Sequence, residues 1–172
     1  MSTPSRIRLP ALALVVALGA TCVFFGTAEA GDGRQATPVV TSERTPDIPP
    51  PTRAELAVRY ALETVGTPYR WGGESPSSGF DCSGLVRWAY GRVGVDLPHS
   101  SYALYGEGRR VREGKMEPGD ILFFEGLGHV GLYLGGGRMV HAPQTGRRVE
   151  IVRLGSTNYG ARLIGARRVA AA

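Results

Sequence analysis

Apolar residues recur at helical spacing from Thr52 to Val65, where Leu56, Ala57, Tyr60, Ala61, Thr64 and Val65 fall on one stripe. Thr52-Arg53-Ala54-Glu55 has the spacing of a capping box, so a helix is predicted to open there and to end at Gly66 and Pro68. A Gly-rich loop follows, from Trp71-Gly72-Gly73 to Gly79. A second helical pattern runs from Cys82 to Arg92, with Leu85, Val86, Ala89 and Val93 on its buried side and Gly94 closing it. Ser100 to Tyr105 adds a short helical stretch. The period then changes: Asp120 to Glu125, His129 to Leu134, Arg138 to Ala142, Val149 to Leu154 and Arg162 to Val169 read as short strands, with Gly135-Gly136-Gly137 as a hairpin turn. Helices first and strands second, without alternation, predict an α+β domain whose N-terminal helices pack on an antiparallel sheet of about five to six strands.

The first 30 residues follow another rule. Arg6 and Arg8 precede an apolar run from Leu9 to Phe25, and Ala28-Glu29-Ala30 supplies a small-x-small cleavage pattern, so residues 1–30 read as a signal peptide. An uncleaved anchor is the alternative, but the run falls short of the roughly 20 residues a spanning helix needs. Lipid attachment at Cys22 is another; there Thr21 stands where such a chain wants Gly, Ala or Ser. Residues 31–52, with Pro38, Pro46, Pro49, Pro50 and Pro51, read as a Pro-rich linker, which leaves 53–172 for the folded domain. An exported protein is expected, in the periplasm, the cell wall or outside the cell, with no stable membrane span once the signal is removed.

Composition narrows the partners. The chain of 172 residues carries 20 Lys plus Arg against 15 Asp plus Glu, a net charge of +5, and 42% hydrophobic residues, enough to bury a core. Its 25 Gly show no triplet period, which excludes a collagen-like rod. The basic residues form no block and no aromatic ladder accompanies them, so nucleic acid is not an expected partner; an anionic cell-envelope polymer suits the charge better. A monomer is expected.

Loss of the leader removes Cys22 and leaves Cys82 alone, so no internal disulfide can form. On that count an inert buried thiol and a nucleophile stand level. The neighbouring residues favour the nucleophile: Asp81-Cys82-Ser83-Gly84 places the thiol in the first turn of a helix, where unpaired N–H groups and the helix dipole stabilise negative charge. A pre-formed thiolate beside an imidazolium is therefore expected. Of the three histidines, His129 opens one strand of the predicted hairpin and His141 ends the other, so their rings fall near the same end of the sheet. One can take the thiol proton while the other orients it, the logic of a Cys-His-polar triad. A Cys-His-His zinc site is the competing chemistry, but it lacks H-x-x-x-H or C-x-x-C spacing and a fourth ligand. No metal and no organic cofactor is expected.

These residues resemble the NlpC-type bacterial cell-wall cysteine peptidases, a branch of the papain-like fold. The likeness runs from about Arg53 to Arg168 through Gly66-Thr67-Pro68-Tyr69-Arg70-Trp71-Gly72-Gly73, Gly79-Phe80-Asp81-Cys82-Ser83-Gly84-Leu85, Pro118-Gly119-Asp120, His129-Val130-Gly131-Leu132-Tyr133-Leu134-Gly135 and Val140-His141-Ala142-Pro143. It implies Cys82 as nucleophile, His129 as general base and acid, and His141 as the polar residue that orients it. It further implies that the Tyr69 hydroxyl lies near the oxyanion and that Asp81 and Ser83 contact a bound peptidoglycan stem peptide. The implied activity is cleavage of that peptide between D-glutamate and a diamino acid such as meso-diaminopimelate. An amidase, a wall-degrading toxin with the same Cys-His chemistry and a catalytically silent wall-binding module are the alternatives. The chain departs from the family pattern at Leu97-Pro98-His99 and Leu104, where the family has Leu-Pro-Arg and Gln; His99 is not counted as catalytic.

Overall fold

Helix α1 (Arg53–Glu63) starts at the expected capping box: the Thr52 hydroxyl accepts the Glu55 N–H at 3.2 Å, and the Glu55 carboxylate accepts the Thr52 N–H at 2.8 Å. The computed structural model describes residues 49–112 and 114–169, so the leader, Cys22 and residues 31–48 of the linker lie outside the described residues. The buried stripe of α1 differs from the expected one by a small rotation. Ala57, Val58 and Ala61 face the core, and Val65, past the end of the helix, is 46% exposed.

Two short strands, β1 (Glu74–Ser75) and β2 (Gly79–Phe80), pair within the Gly-rich loop and lead directly into helix α2 (Cys82–Gly91). This hairpin was not expected from the sequence, because two-residue strands leave no alternation to read. Helix α3 (Ser101–Leu104) follows, capped by the Ser100 hydroxyl.

The remaining strands are β3 (Arg109–Val111), β4 (Ile121–Phe124), β5 (Val130–Gly135), β6 (Arg138–His141), β7 (Glu150–Arg153) and β8 (Leu163–Arg168), with helix α4 (Tyr159–Arg162) before the last. They form one antiparallel sheet in the order β3-β8-β4-β5-β6-β7. The five expected strands are present and β3 is the sixth. The turn between β5 and β6 has Gly136 at φ +58° and Gly137 at φ +68°, the left-handed pair that a tight type I′ hairpin requires.

Strand β4 is buried along its whole length because the sheet is apolar on both faces. Ile121, Phe123, Val130, Leu132 and Val140 pack under α1 and α2 with Ala57, Ala61, Leu85, Val86 and Ala89. On the other face Leu122, Phe124, Met139 and Ala166 join Val111 and Leu154, with Tyr159 packed against them. The Tyr90 hydroxyl reaches from α2 to donate to the Gly119 carbonyl at 2.5 Å, which ties the helix to the turn before β4.

An ion pair locks that same turn to the last strand. Asp120, 1% exposed, accepts from Arg168 Nε at 2.7 Å and Nη2 at 2.8 Å, and also from the Glu117 N–H at 2.8 Å. Arg168 Nη1 meets Glu117 at 2.6 Å. Asp120→Ala leaves Arg168 its contacts with Glu117 and the Lys115 carbonyl but removes the buried acceptor of three hydrogen bonds, so it is expected to cost about 1.5–3 kcal/mol of stability. Urea denaturation tests this; a wild-type midpoint in the variant would show that the pair contributes nothing.

Candidate active site

The first turn of α2 is organised by Asp81. As N-cap, its Oδ1 accepts the Gly84 N–H at 2.7 Å and the Ser83 hydroxyl at 3.0 Å, and its Oδ2 accepts the Gly72 N–H at 2.9 Å. His99 Nε2 lies 3.0 Å from both carboxylate oxygens. The loop can close on the helix because residue 84 has no side chain: a Cβ there would stand 2.1 Å from the Gly73 carbonyl oxygen. Asp81 and Ser83 therefore have structural work of their own, as cap and as partner to the cap.

Cys82 is the first residue of α2 and is half-buried against the core. It lines a cleft of about 430 Å³ together with Tyr69, Asp81, Ser83, His99 and His129. Trp71 and Tyr102, 86% and 65% exposed, stand at this cleft as large apolar surfaces open to solvent. Tyr69 is held on its side of the cleft by backbone bonds from its N–H to the Arg147 carbonyl and from the Phe80 N–H to the Pro68 carbonyl. Burial, then the charges of Cys82 and Asp81, push its phenol up, so it remains a donor at neutral pH.

Across the cleft, His129 directly precedes β5 and His141 ends β6. Their rings meet with His129 Nε2 2.8 Å from His141 Nδ1. That contact uses Nε2 of His129 and leaves its Nδ1 as the basic nitrogen. The rings are held by aromatic neighbours: Tyr159 of α4 stacks on His129 with centroids 5.5 Å apart at 26°, and meets His141 edge-on at 4.9 Å. Phe124 packs on His129 at 5.7 Å. His141 is fully buried, and its Nε2 has no hydrogen-bond partner.

The sequence reading thus placed Cys82, His129, His141, Tyr69, Asp81 and Ser83 in one neighbourhood, and the structure brings them together. It missed Tyr159, whose segment carries no periodic signal, and the part played by His99, which is linked to Asp81 only through the tertiary fold. Among the described residues, no group of three or more His, Cys, Asp or Glu side chains is arranged to hold a metal ion, and no helix is long and apolar enough to cross a membrane.

The expected thiolate–imidazolium pair is not the resting state this geometry favours. Burial pushes the Cys82 thiol up; the N–H groups of Val130, Ser83 and Cys82 itself pull it down but by less, and the Asp81 charge adds to the upward shift. Burial, followed by the proximity of His141 and Arg162, pushes His129 well below the ordinary imidazole range. Burial and Arg147 do the same to His141. A neutral thiol beside neutral imidazoles results. The helix-start argument was sound in sign, but desolvation outweighs it.

The structure is an α+β domain with a cysteine at a helix start and a histidine pair at one cleft. The chain belongs to the NlpC/P60 family, whose model matches residues 66–168. It is 47% identical over 108 residues to a probable endopeptidase of Mycobacterium tuberculosis strain H37Rv, a match that covers 61% of this chain and 28% of the relative. It is 36% identical over 123 residues to the murein DD-endopeptidase MepH of Escherichia coli K12, covering 67% of this chain and 45% of MepH. The crystal structure of an NlpC/P60 family protein from Bacillus cereus superposes with a TM-score of 0.67 at 34% identity, covering 73% of this chain and 42% of that one. The chain therefore spans less than half the length of these relatives.

In a chain that begins at Gly31, Cys82 is the sole cysteine, so alkylation by iodoacetamide reports on it alone. With the thiol pushed up, the alkylation rate is expected to rise only around or above the ordinary thiol value of ~8.5. With His129 pushed down, hydrolysis is expected to persist on the acid side of the ordinary imidazole value of ~6.5. A fast plateau of alkylation already at pH ~6 would establish a resting thiolate instead.

Proposed function

We propose that the protein is an exported peptidoglycan hydrolase, a cysteine endopeptidase that cleaves the stem peptide at the bond between D-glutamate and the diamino acid meso-diaminopimelate. The observation that carries this reading is the cleft in which Cys82 at a helix start faces the His129–His141 pair in an NlpC/P60 domain. Export is inferred from the leader of residues 1–30 and the Pro-rich segment 31–52 that follows it.

In this mechanism the Cys82 proton passes to His129 Nδ1 as Sγ attacks the peptide carbonyl. The resting neutral pair makes this transfer part of the attack rather than a step completed beforehand. The positive charge formed on His129 is shared through its Nε2–H, which donates to His141 Nδ1; the Nε2–H tautomer of His141 leaves that acceptor free. Backbone N–H groups at the start of α2 and the protonated Tyr69 hydroxyl hold the oxyanion. His129 returns its proton to the leaving amine, and the peptide C–N bond breaks to leave a thioester on Cys82. Water, deprotonated by the same imidazole, then releases the carboxylate product and restores the thiol.

A second bond is a specific alternative because MepH, 36% identical over two thirds of this chain, is named a DD-endopeptidase. The two readings give different products. Cleavage after D-glutamate splits a tetrapeptide stem and frees a diaminopimelyl-D-alanine dipeptide, whereas DD-endopeptidase action turns a crosslinked dimer into two intact monomers. Mass analysis of defined muropeptides distinguishes them, and intact free stem peptide would mark an amidase. Cys82→Ala and His129→Ala are each expected to lower kcat by about 10³-fold or more, while His141→Ala costs less because water can partly replace an orienting group. Full turnover by Cys82→Ala would eliminate the thiol mechanism, and inactivity of the wild-type protein on all these substrates would favour a silent wall-binding module.

A further inference from the structure

The least satisfied polar atom of the site is His141 Nε2. It is fully buried, and a histidine in this tautomer carries a proton there that needs an acceptor. The group it faces is the carboxylate of Glu150, with Oε1 3.7 Å away. The two residues are directly paired across β6 and β7, so the backbone fixes their approach. At rest Arg147 Nη2 holds both Glu150 oxygens at 2.8 Å. The Arg147 side chain is 57% exposed, and an exposed pair of this kind is weak enough to yield. A displacement of about 1 Å would bring Oε1 within N–H···O range of His141.

We infer that Glu150 is a positioning residue of the catalytic cluster, accepting the Nε2 proton of His141 in a hydrogen bond as positive charge develops on His129. The inference rests on the proposed roles of Cys82, His129 and His141. It adds a fourth group to them, in the order Cys82, His129, His141, Glu150. Glu150 fixes the tautomer of His141, and the tautomer fixes which nitrogen of His129 is free to face the thiol. The charged and titratable groups around His141 are His129 from the start of β5, Tyr159 and Arg162 from α4, Arg147 from the β6–β7 connection and Glu150 from β7, with Cys82 beyond His129. Of these, Glu150 alone can offer an anion to the buried Nε2–H; Arg147, at the carboxylate's outer side, opposes proton uptake by His141.

Glu150→Gln keeps the shape and the strand pairing of the residue and removes its charge. In the full chain it is expected to lower kcat by about tenfold at unchanged KM. In a His141→Ala background the same change is expected to add nothing, because the group through which Glu150 acts is gone. A readout independent of turnover is the proton titration of the His141 ring by NMR, assigned by its loss in His141→Ala. Removal of the anion is expected to shift this titration to lower pH by about half a unit or more. Arg147→Gln should shift it the opposite way. An unchanged kcat together with an unchanged titration, or the same loss in both backgrounds, overturns the role of Glu150. If the wild-type protein hydrolyses no wall peptide but the titration still responds to Glu150→Gln, the proposed function fails while the Glu150–His141 contact stands.

Discussion

The carboxylate of Asp81 ties the loop before the nucleophile, the first turn of α2 and the segment after that helix to one point, reinforcing the β1–β2 pairing and the Asp81 N–H bond to the Gly73 carbonyl. It accepts from Gly72 in the loop before the nucleophile and from Ser83 and Gly84 in the first turn of α2, and it lies against His99, which comes after that helix. A cap is ordinarily worth about 1 kcal/mol. Here the same bonds also set the position of the sulfur, because Cys82 lies between the cap and the two residues the cap binds. Gly84 is required by the same closure, because the Gly73 carbonyl occupies the space its Cβ would need, and Gly73 in turn leaves room for the Gly79 carbonyl. The position of the thiol therefore depends on backbone satisfaction as well as on its packing against the core.

The opposing half of the site depends on the sheet. His129 and His141 are brought to 2.8 Å by the β5–β6 hairpin, whose register shifts once, between Tyr133 and Gly135 next to the turn, and is regular from there toward the histidines. Their burial under Phe124 and Tyr159 sets both rings in place and strips them of water. The same burial that orients the rings keeps them neutral, and it acts on the half-buried thiol in the direction of protonation. A neutral resting state is suited to a base, since His129 must be unprotonated to accept the thiol proton. In the proposed mechanism the charge separation is created only as the substrate carbonyl becomes an oxyanion, which the amides of the helix start and the Tyr69 hydroxyl are proposed to meet.

Much of this was legible in the sequence because the signals are local. The capping box at Thr52, the helix opening at Cys82 and the Gly136-Gly137 turn each occupy a few consecutive residues and have one conformational solution. The strand runs carried their own period, and the likeness to the NlpC family followed from motifs in order. What could not be read depends on contacts between distant segments. β3 and the β1–β2 hairpin are too short to show alternation. Tyr159 stacks on two rings contributed by other elements, and His99 meets Asp81 across 18 residues of chain. The α1 stripe shifted toward Val58 because the angle of a helix on a sheet is fixed by both partners. The upward push of burial on the Cys82 thiol was not legible for the same reason: helix position is a local property and desolvation is a tertiary one.

This division between local and tertiary information also separates the chemistry of the site from its choice of bond. Cys82 and His141 sit on α2 and β6 and His129 directly precedes β5, elements tied to the main core, where any displacement would disturb packed side chains. The remaining walls of the cleft come from the start of α3, with Ser100 to Tyr102, and from the connections that carry Trp71, Gly128 and Pro143. Trp71 and Tyr102 are the most exposed of its aromatics, so they can change without cost to the core. Under the proposed function, substitution there is expected to change which peptide reaches the thiol while leaving the His129–His141 contact in place. Of the two departures from the family pattern, Leu104 is fully buried in the main core and only His99 lines the cleft; because His99 also lies against the Asp81 carboxylate, a change there acts on the cap of α2 as well as on the cleft wall.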